Sequence, residues 1–155
     1  MANTNRRLIS FQVDQLIVVI HASRPALGKS AAWAVAEQMR RRLRKQDRIA
    51  MIFASAPSQE EFLAALAVQE DLDWQRITTF QMDEYIGLTV DAPQNFGRFL
   101  RERSFSRVRP GSVHYLSSEE NPADDDRTAQ ISNGQIADAD IVRIDPRARI
   151  VGRRL

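Results

Sequence analysis

Short apolar runs alternate along this chain with longer stretches whose apolar residues recur every three or four positions. Residues 13–20, ending in Leu16-Ile17-Val18-Val19-Ile20, read as a buried strand. From Ala26 to Gln46, Ala32, Val35, Ala36, Met39 and Leu43 fall on one side of an amphipathic helix. Arg48–Ala54 is a second strand, apolar enough to be buried on both faces. The turn Ser55-Ala56-Pro57-Ser58 leads into a helix reaching about Val68, with Phe62, Leu63, Leu66 and Ala67 inward. Ser58 and Glu61 have the spacing of a capping box at its start. A strand is expected over residues 76–82, and a helix over Asn95–Phe105 with Phe96, Phe99 and Leu100 inward. Val113-His114-Tyr115-Leu116 closes the series as a short strand.

Strands alternating with helices predict an α/β fold: an open, mainly parallel sheet with helices on both faces, in a Rossmann-like arrangement. Residues 1–118 carry this pattern, and residues 119–155 depart from it. Glu119, Glu120, Asp124, Asp125 and Asp126 surround Pro122, only Ala139–Val142 then resembles a strand, and five arginines fall between Arg143 and Leu155. A tail of this kind is expected to be poorly ordered rather than a nucleic-acid contact.

Composition narrows the chemistry. With 43% apolar and 27% charged residues the chain has the make-up of a soluble globular domain, and a formal charge of +2 is too small to imply nucleic acid as a partner. The absence of cysteine removes disulfides, a thiolate nucleophile and cysteine-ligated metal. His21 and His114 are far apart and lack metal-ligand spacing, so no metal site is expected. Arg6 and Arg7 precede an apolar run too short for a secretory leader, and no stretch approaches the roughly 20 apolar residues of a membrane span. A cytoplasmic protein without a membrane partner is the expectation.

Gly28-Lys29-Ser30 superficially suggests a phosphate-binding loop, but Ser23 stands where that motif requires glycine. An ordinary helix start, with Ser30 near its first turn, fits better. Arg40-Arg41-Arg42-Leu43-Arg44-Lys45 places cations at a helix C-terminus, where they complement the helix dipole. Two features are more suggestive. The turn Ala54–Ser58 joins a strand to a helix and offers backbone N–H groups and two hydroxyls, suited to a phosphate. Phe80-Gln81-Met82-Asp83-Glu84-Tyr85-Ile86-Gly87-Leu88 puts two carboxylates and a phenol just beyond a strand, where open α/β sheets bind ligands. A partly desolvated carboxylate there could accept a proton. An acidic turn with no further role fits the spacing equally well.

The order of these motifs resembles the glucosamine-6-phosphate deaminase (isomerase) family. The resemblance rests on Ile52-Phe53-Ala54-Ser55-Ala56-Pro57-Ser58, Trp74, Met82-Asp83-Glu84-Tyr85 before Ile86-Gly87-Leu88, Ala92–Leu100 and Val113–Leu116, and spans about residues 10–118. It implies conversion of glucosamine 6-phosphate to fructose 6-phosphate and ammonia without metal or organic cofactor. Asp83 falls where the family places the carboxylate that moves a proton between the two carbons at the carbonyl. Ser55 and Ser58 fall where it holds substrate, with Glu84 and Tyr85 beside them as substrate-binding or loop-shaping residues. The 6-phosphogluconolactonases share the fold and supply an alternative hydrolytic activity. A sugar-phosphate-binding module without catalysis, single or as a homo-oligomer, is another.

Two departures shape the expectation. Ala54-Ser55-Ala56 replaces the family's glycines and threonine, and losing glycine limits how closely the backbone can approach a phosphate. After Ile141-Val142 the chain reads Arg143-Ile144-Asp145-Pro146, where the family continues with a glycine-rich segment bearing the ring-opening histidine, and later a phosphate-binding lysine. The expectation is a C-terminally truncated or frame-shifted member with little deamination of its own.

Overall fold

The computed structural model describes residues 9–85 and 87–116. The divergent tail expected from residue 119 onward lies outside the described residues.

The chain opens with a hairpin rather than the single strand expected over residues 13–20. Strand β1 (Ile9–Val13) pairs antiparallel with β2 (Leu16–Ile20), with Val13 opposite Leu16. The reversal falls at Asp14, whose φ of 52° is left-handed, a conformation aspartate tolerates better than most residues. Polar Asp14-Gln15 was thus a turn signal inside what reads as one apolar run. Pairing puts Ile9, Phe11 and Val13 on one face with Leu16, Val18 and Ile20, yet Ile9, Phe11, Val13 and Ile20 are all exposed. The run is not a buried strand.

Helix α1 (Arg24–Leu43) begins earlier than the periodicity suggests. Ser23 Oγ accepts from the Ala26 N–H at 3.3 Å and Pro25 occupies the first turn, so Gly28-Lys29-Ser30 lies inside the helix. Gly28 is there because of what it touches. A Cβ at this position would lie 2.7 Å from the backbone carbonyl carbon of Glu61 in the neighbouring helix. Gly28→Ala sets a gain in helix propensity of up to about 1 kcal/mol against overpacking of about 1–3 kcal/mol. Because the obstacle is backbone, the clash wins. We expect urea unfolding to show a net loss of about 1–2 kcal/mol, and an alanine variant as stable as the parent would refute the close packing. At the other end of α1, Arg76 Nη2 donates to the carbonyls of Leu43 and Gln46, at 2.9 and 2.7 Å, satisfying groups the helix leaves open.

Strands β3 (Ile49–Phe53), β4 (Ile77–Gln81) and β5 (Ser112–His114) form a parallel sheet in that order. Their connections carry a 3₁₀ turn (Pro57–Gln59), helix α2 (Glu60–Leu66), a second 3₁₀ turn (Trp74–Arg76) and helix α3 (Phe96–Leu100). This is the α/β architecture the alternation predicts. Side chains alternate across a strand, so Ile49, Met51 and Phe53 share a face with Ile77 and, on β5, Val113. These residues form one core with Ala32, Val35, Ala36, Met39 and Leu43 of α1, Leu63 and Leu66 of α2, and Leu100 and Phe105. On the opposite face Phe80 is buried and its ring stacks on His114 at 4.7 Å, while Ile52 is exposed, so β3 is not buried on both sides throughout.

Two further details differ from expectation. Ser58 is not a capping-box residue: it sits within the 3₁₀ turn, and α2 starts after Gln59 with no side-chain cap. Proline at position 57 favours the tighter turn, and Glu61 is drawn to an arginine instead. The helix expected over Asn95–Phe105 is capped by Asn95, whose Oδ1 accepts from the Arg98 N–H at 2.7 Å. It widens into a π-helical turn over Arg101–Phe105 and continues as α4 (Ser106–Val108), ending at left-handed Arg109. Among the described residues no helix is long and apolar enough to cross a membrane.

Candidate functional site

Phe53 pairs with Gln81 across β3 and β4, and the Met82 N–H still donates to the Phe53 carbonyl at 3.0 Å. Ser55 and Asp83 therefore leave adjacent strands at the same level, side by side on the carboxyl edge of the sheet. The Ser55 side chain is directed inward. The residue is only 4% exposed, and its Oγ makes no hydrogen bond among the described residues. Such a group costs free energy in the free protein, about 1–3 kcal/mol for a buried hydroxyl left unpaired. Ser58 is exposed at the surface of the following turn.

Asp83 is exposed rather than half desolvated, but its backbone is held. Gln81, 5% exposed, donates from Nε2 to the Asp83 carbonyl at 2.9 Å and to Glu84 Oε2 at 2.8 Å. Its Oε1 accepts from the Leu116 N–H at 3.2 Å, so one amide ties together the ends of β4 and β5 and the loop between. Gly97 makes room for this amide. A Cβ there would stand 3.0 Å from both Gln81 Oε1 and Tyr115 Cδ1.

Glu84 faces inward. Its Oε1 accepts from the N–H groups of Tyr85 and Phe96, and Oε2 from Gly97 N–H and Gln81 Nε2, all between 2.8 and 3.0 Å. Burial on its own would push the pKa of this carboxyl up. The donors, chiefly the amides of Phe96, Gly97 and Tyr85, outweigh burial and hold it below the ordinary carboxylate range. Both oxygens are occupied by donors from β4, the loop and α3, which makes Glu84 a clamp between them. Tyr85 is exposed and leans on Phe96, with ring centres 4.9 Å apart. Burial pushes the nearby Tyr115 phenol upward from its usual value.

The structure thus brings Ser55, Asp83 and Tyr85 to one edge of the sheet and turns Glu84 into its support. Sequence reasoning missed Gln81 as the organiser of the loop, although its polar side chain inside a buried strand was a usable signal. It also missed the electrostatics of the turn. Glu60 and Glu61 open α2, and uncompensated they would oppose an anion there. Each meets an arginine: Glu61 takes both Nε and Nη2 of Arg24 at 2.8 Å, and Glu60 takes Nη1 of Arg103 at 3.0 Å. These arginines are remote in sequence, and no local spacing announces the pairs.

No protein-family model matches the chain. A 100-residue stretch, 63% of the chain, is 33% identical to the glucosamine-6-phosphate deaminase of Pseudarthrobacter chlorophenolicus and covers 38% of that protein. Over 57 residues, 36% of the chain, it is 42% identical to glucosamine-6-phosphate deaminase 2 of Giardia intestinalis, covering 22% of it. Over these stretches the chain is similar in sequence to glucosamine-6-phosphate deaminases. Its fold agrees. The structure superposes on a monomeric glucosamine-6-phosphate deaminase with a TM-score of 0.65 at 21% identity, over 79% of this chain and 52% of the other. The 6-phosphogluconolactonase of Thermotoga maritima gives 0.61 at 24% identity, over 72% and 50%. Those likenesses show a shared α/β fold. The chain spans about half the length of these solved structures, and between 22% and 38% of the two curated relatives.

Proposed function

We propose that the carboxyl edge formed by Ser55 and Asp83 binds a phosphorylated amino sugar and moves a proton beside its carbonyl carbon, in the manner of a glucosamine-6-phosphate deaminase. One observation carries this reading: a buried serine hydroxyl without a partner among the described residues stands one strand away from an exposed carboxylate at the carboxyl edge of a parallel sheet, where such folds bind ligands. The likeness to the deaminases supplies the substrate class. In this reading the Ser55 hydroxyl and the N–H groups of the Ala54–Ser58 turn hold the phosphate, with Ser58 at its rim. Tyr85 borders the sugar, and Asp83 is the base.

Titration calorimetry with glucosamine 6-phosphate tests the binding half. The parent chain should bind it, and Ser55→Ala should weaken binding about ten- to a hundredfold, as expected for one lost hydrogen bond to a charged group. The same substitution removes an unpaired buried hydroxyl and should leave the free protein as stable or more so. Heat release no greater than that from unphosphorylated glucosamine would sink the proposal. Binding that persists without any proton exchange at the sugar would favour a non-catalytic sugar-phosphate module.

A further inference from the structure

We infer that Arg24 is a positioning residue for the Ala54–Ser58 turn, acting through Glu61 and the Pro57 carbonyl rather than by touching the ligand. The inference rests on the proposed function for its ligand, though not for its geometry. Arg24 is the first residue of α1, and its guanidinium reaches across to α2. Nε and Nη2 grip the two oxygens of Glu61 at 2.8 Å each, and Nη2 also donates to the Pro57 carbonyl at 3.0 Å. The fork leaves few orientations open, since two parallel N–H groups must meet both carboxylate oxygens at once.

The surroundings make this contact a strap rather than a casual surface pair. One helical turn beyond Arg24, Gly28 sits so close to Glu61 that even a methyl group would meet its backbone. The two helices therefore touch directly beneath the ion pair, and Arg24 closes over that junction. Pro57 is the hinge between the phosphate turn and α2. Its carbonyl already accepts from the Glu60 N–H, closing the 3₁₀ turn, and Arg24 adds a second donor. The hydrogen bond to Arg24 is also the main reason Glu61 is held below the ordinary carboxylate range, so this carboxylate stays charged and gripped at neutral pH. An exposed pair of this kind contributes little to global stability. Its effect is on local order: it fixes the chain that follows Ser55.

A direct ligand role for Arg24 predicts the opposite outcome from a positioning role in one variant. If Arg24 met the phosphate, Glu61→Gln would release the guanidinium and tighten binding. If Arg24 positions the turn, Glu61→Gln loosens the strap and weakens binding. Four chains decide it: parent, Arg24→Gln, Glu61→Gln and the double variant. Each is titrated with glucosamine 6-phosphate at about 0.15 M salt, where surface charges are screened beyond about 8 Å, and followed by amide hydrogen exchange without ligand.

We expect each single variant to weaken binding about three- to tenfold, the double variant to be no worse than either, and Arg24→Lys to recover part of the loss. Exchange should quicken at the Gln59 and Glu60 amides, which close the turn onto Ala56 and Pro57, while thermal unfolding moves little. Tighter binding by Glu61→Gln, or unchanged exchange at those two amides, overturns the strap. Quickened exchange in the variants, with a parent chain that binds no sugar phosphate, leaves the strap standing as a structural contact and overturns both its assignment to a phosphate and the proposed function.

Discussion

Asp83→Asn should reduce proton exchange at a bound sugar phosphate by a factor on the order of 10²–10⁴, the usual contribution of a positioned general base. The substitution keeps the shape and removes the proton-accepting charge, and among the described residues Asp83 is tied to the loop through its backbone carbonyl, which asparagine retains. Binding of glucosamine 6-phosphate should therefore stay within about twofold of the parent. The cleanest readout is fructose 6-phosphate in heavy water followed by NMR. The carboxylate takes a C-1 proton, the C–H pair forms the C-1–C-2 double bond while the carbonyl π pair moves onto its oxygen to give an enediolate, and return of a deuteron exchanged from solvent marks C-1. Equal labelling by parent and variant would remove Asp83 from the chemistry. Labelling by neither, with binding intact, would point to a module that holds sugar phosphates without transforming them.

The largest structural effect is expected at Glu84. Glu84→Ala strips the acceptor from three backbone N–H groups and from Gln81 Nε2; the Tyr85 bond is exposed and the other three are partly buried. Unmade bonds of this kind cost about 1–3 kcal/mol each when water cannot replace them. Partial exposure of the site reduces the sum to about 2–4 kcal/mol, read from the urea midpoint. The same residue sets an acid limb. Its carboxyl is held below the 4.5 it would have unfolded, so the stabilisation is complete above that pH and is lost as pH falls through the folded value. Protonation also points a donor at groups that are themselves donors. Parent protein should lose stability steeply below about pH 4.5, and Glu84→Ala should show a shallower slope over the same range. Parallel acid limbs would mean that Glu84 is not gripped as described.

Much of this was legible in the sequence, and the reasons are local. The β-branched runs at 49–53 and 77–81 and the helical spacing from Ala32 to Leu43 are periodic signals, and periodicity survives translation into structure. The nearness of Ser55 to Asp83 was legible too, because parallel neighbours joined by a helix must end at the same edge. What stayed hidden depends on partners distant in the chain. Glu84 reads as a substrate-binding or loop-shaping residue, and the Phe96 and Gly97 amides that grip it cannot be seen from its neighbours in the chain. Ser58 and Glu61 have capping spacing, but Arg24 offers Glu61 a better-matched partner. Asp14-Gln15 broke an apolar run that looked continuous, since two polar residues suffice for a hairpin. The π-helical widening at Arg101–Phe105 left no periodic trace at all.

The parallel register of β3 and β4 has a consequence for when the site comes into being. Antiparallel β1 and β2 can zip from their own two-residue turn, whereas Phe53 and Gln81 meet only after the whole α2 crossover has closed. Closing that loop costs entropy before any contact rewards it. Ser55 and Asp83 are therefore strangers in every partly folded state lacking this closure. The edge they form arrives together with the sheet, so a ligand bound there reports on completed folding as much as on chemistry.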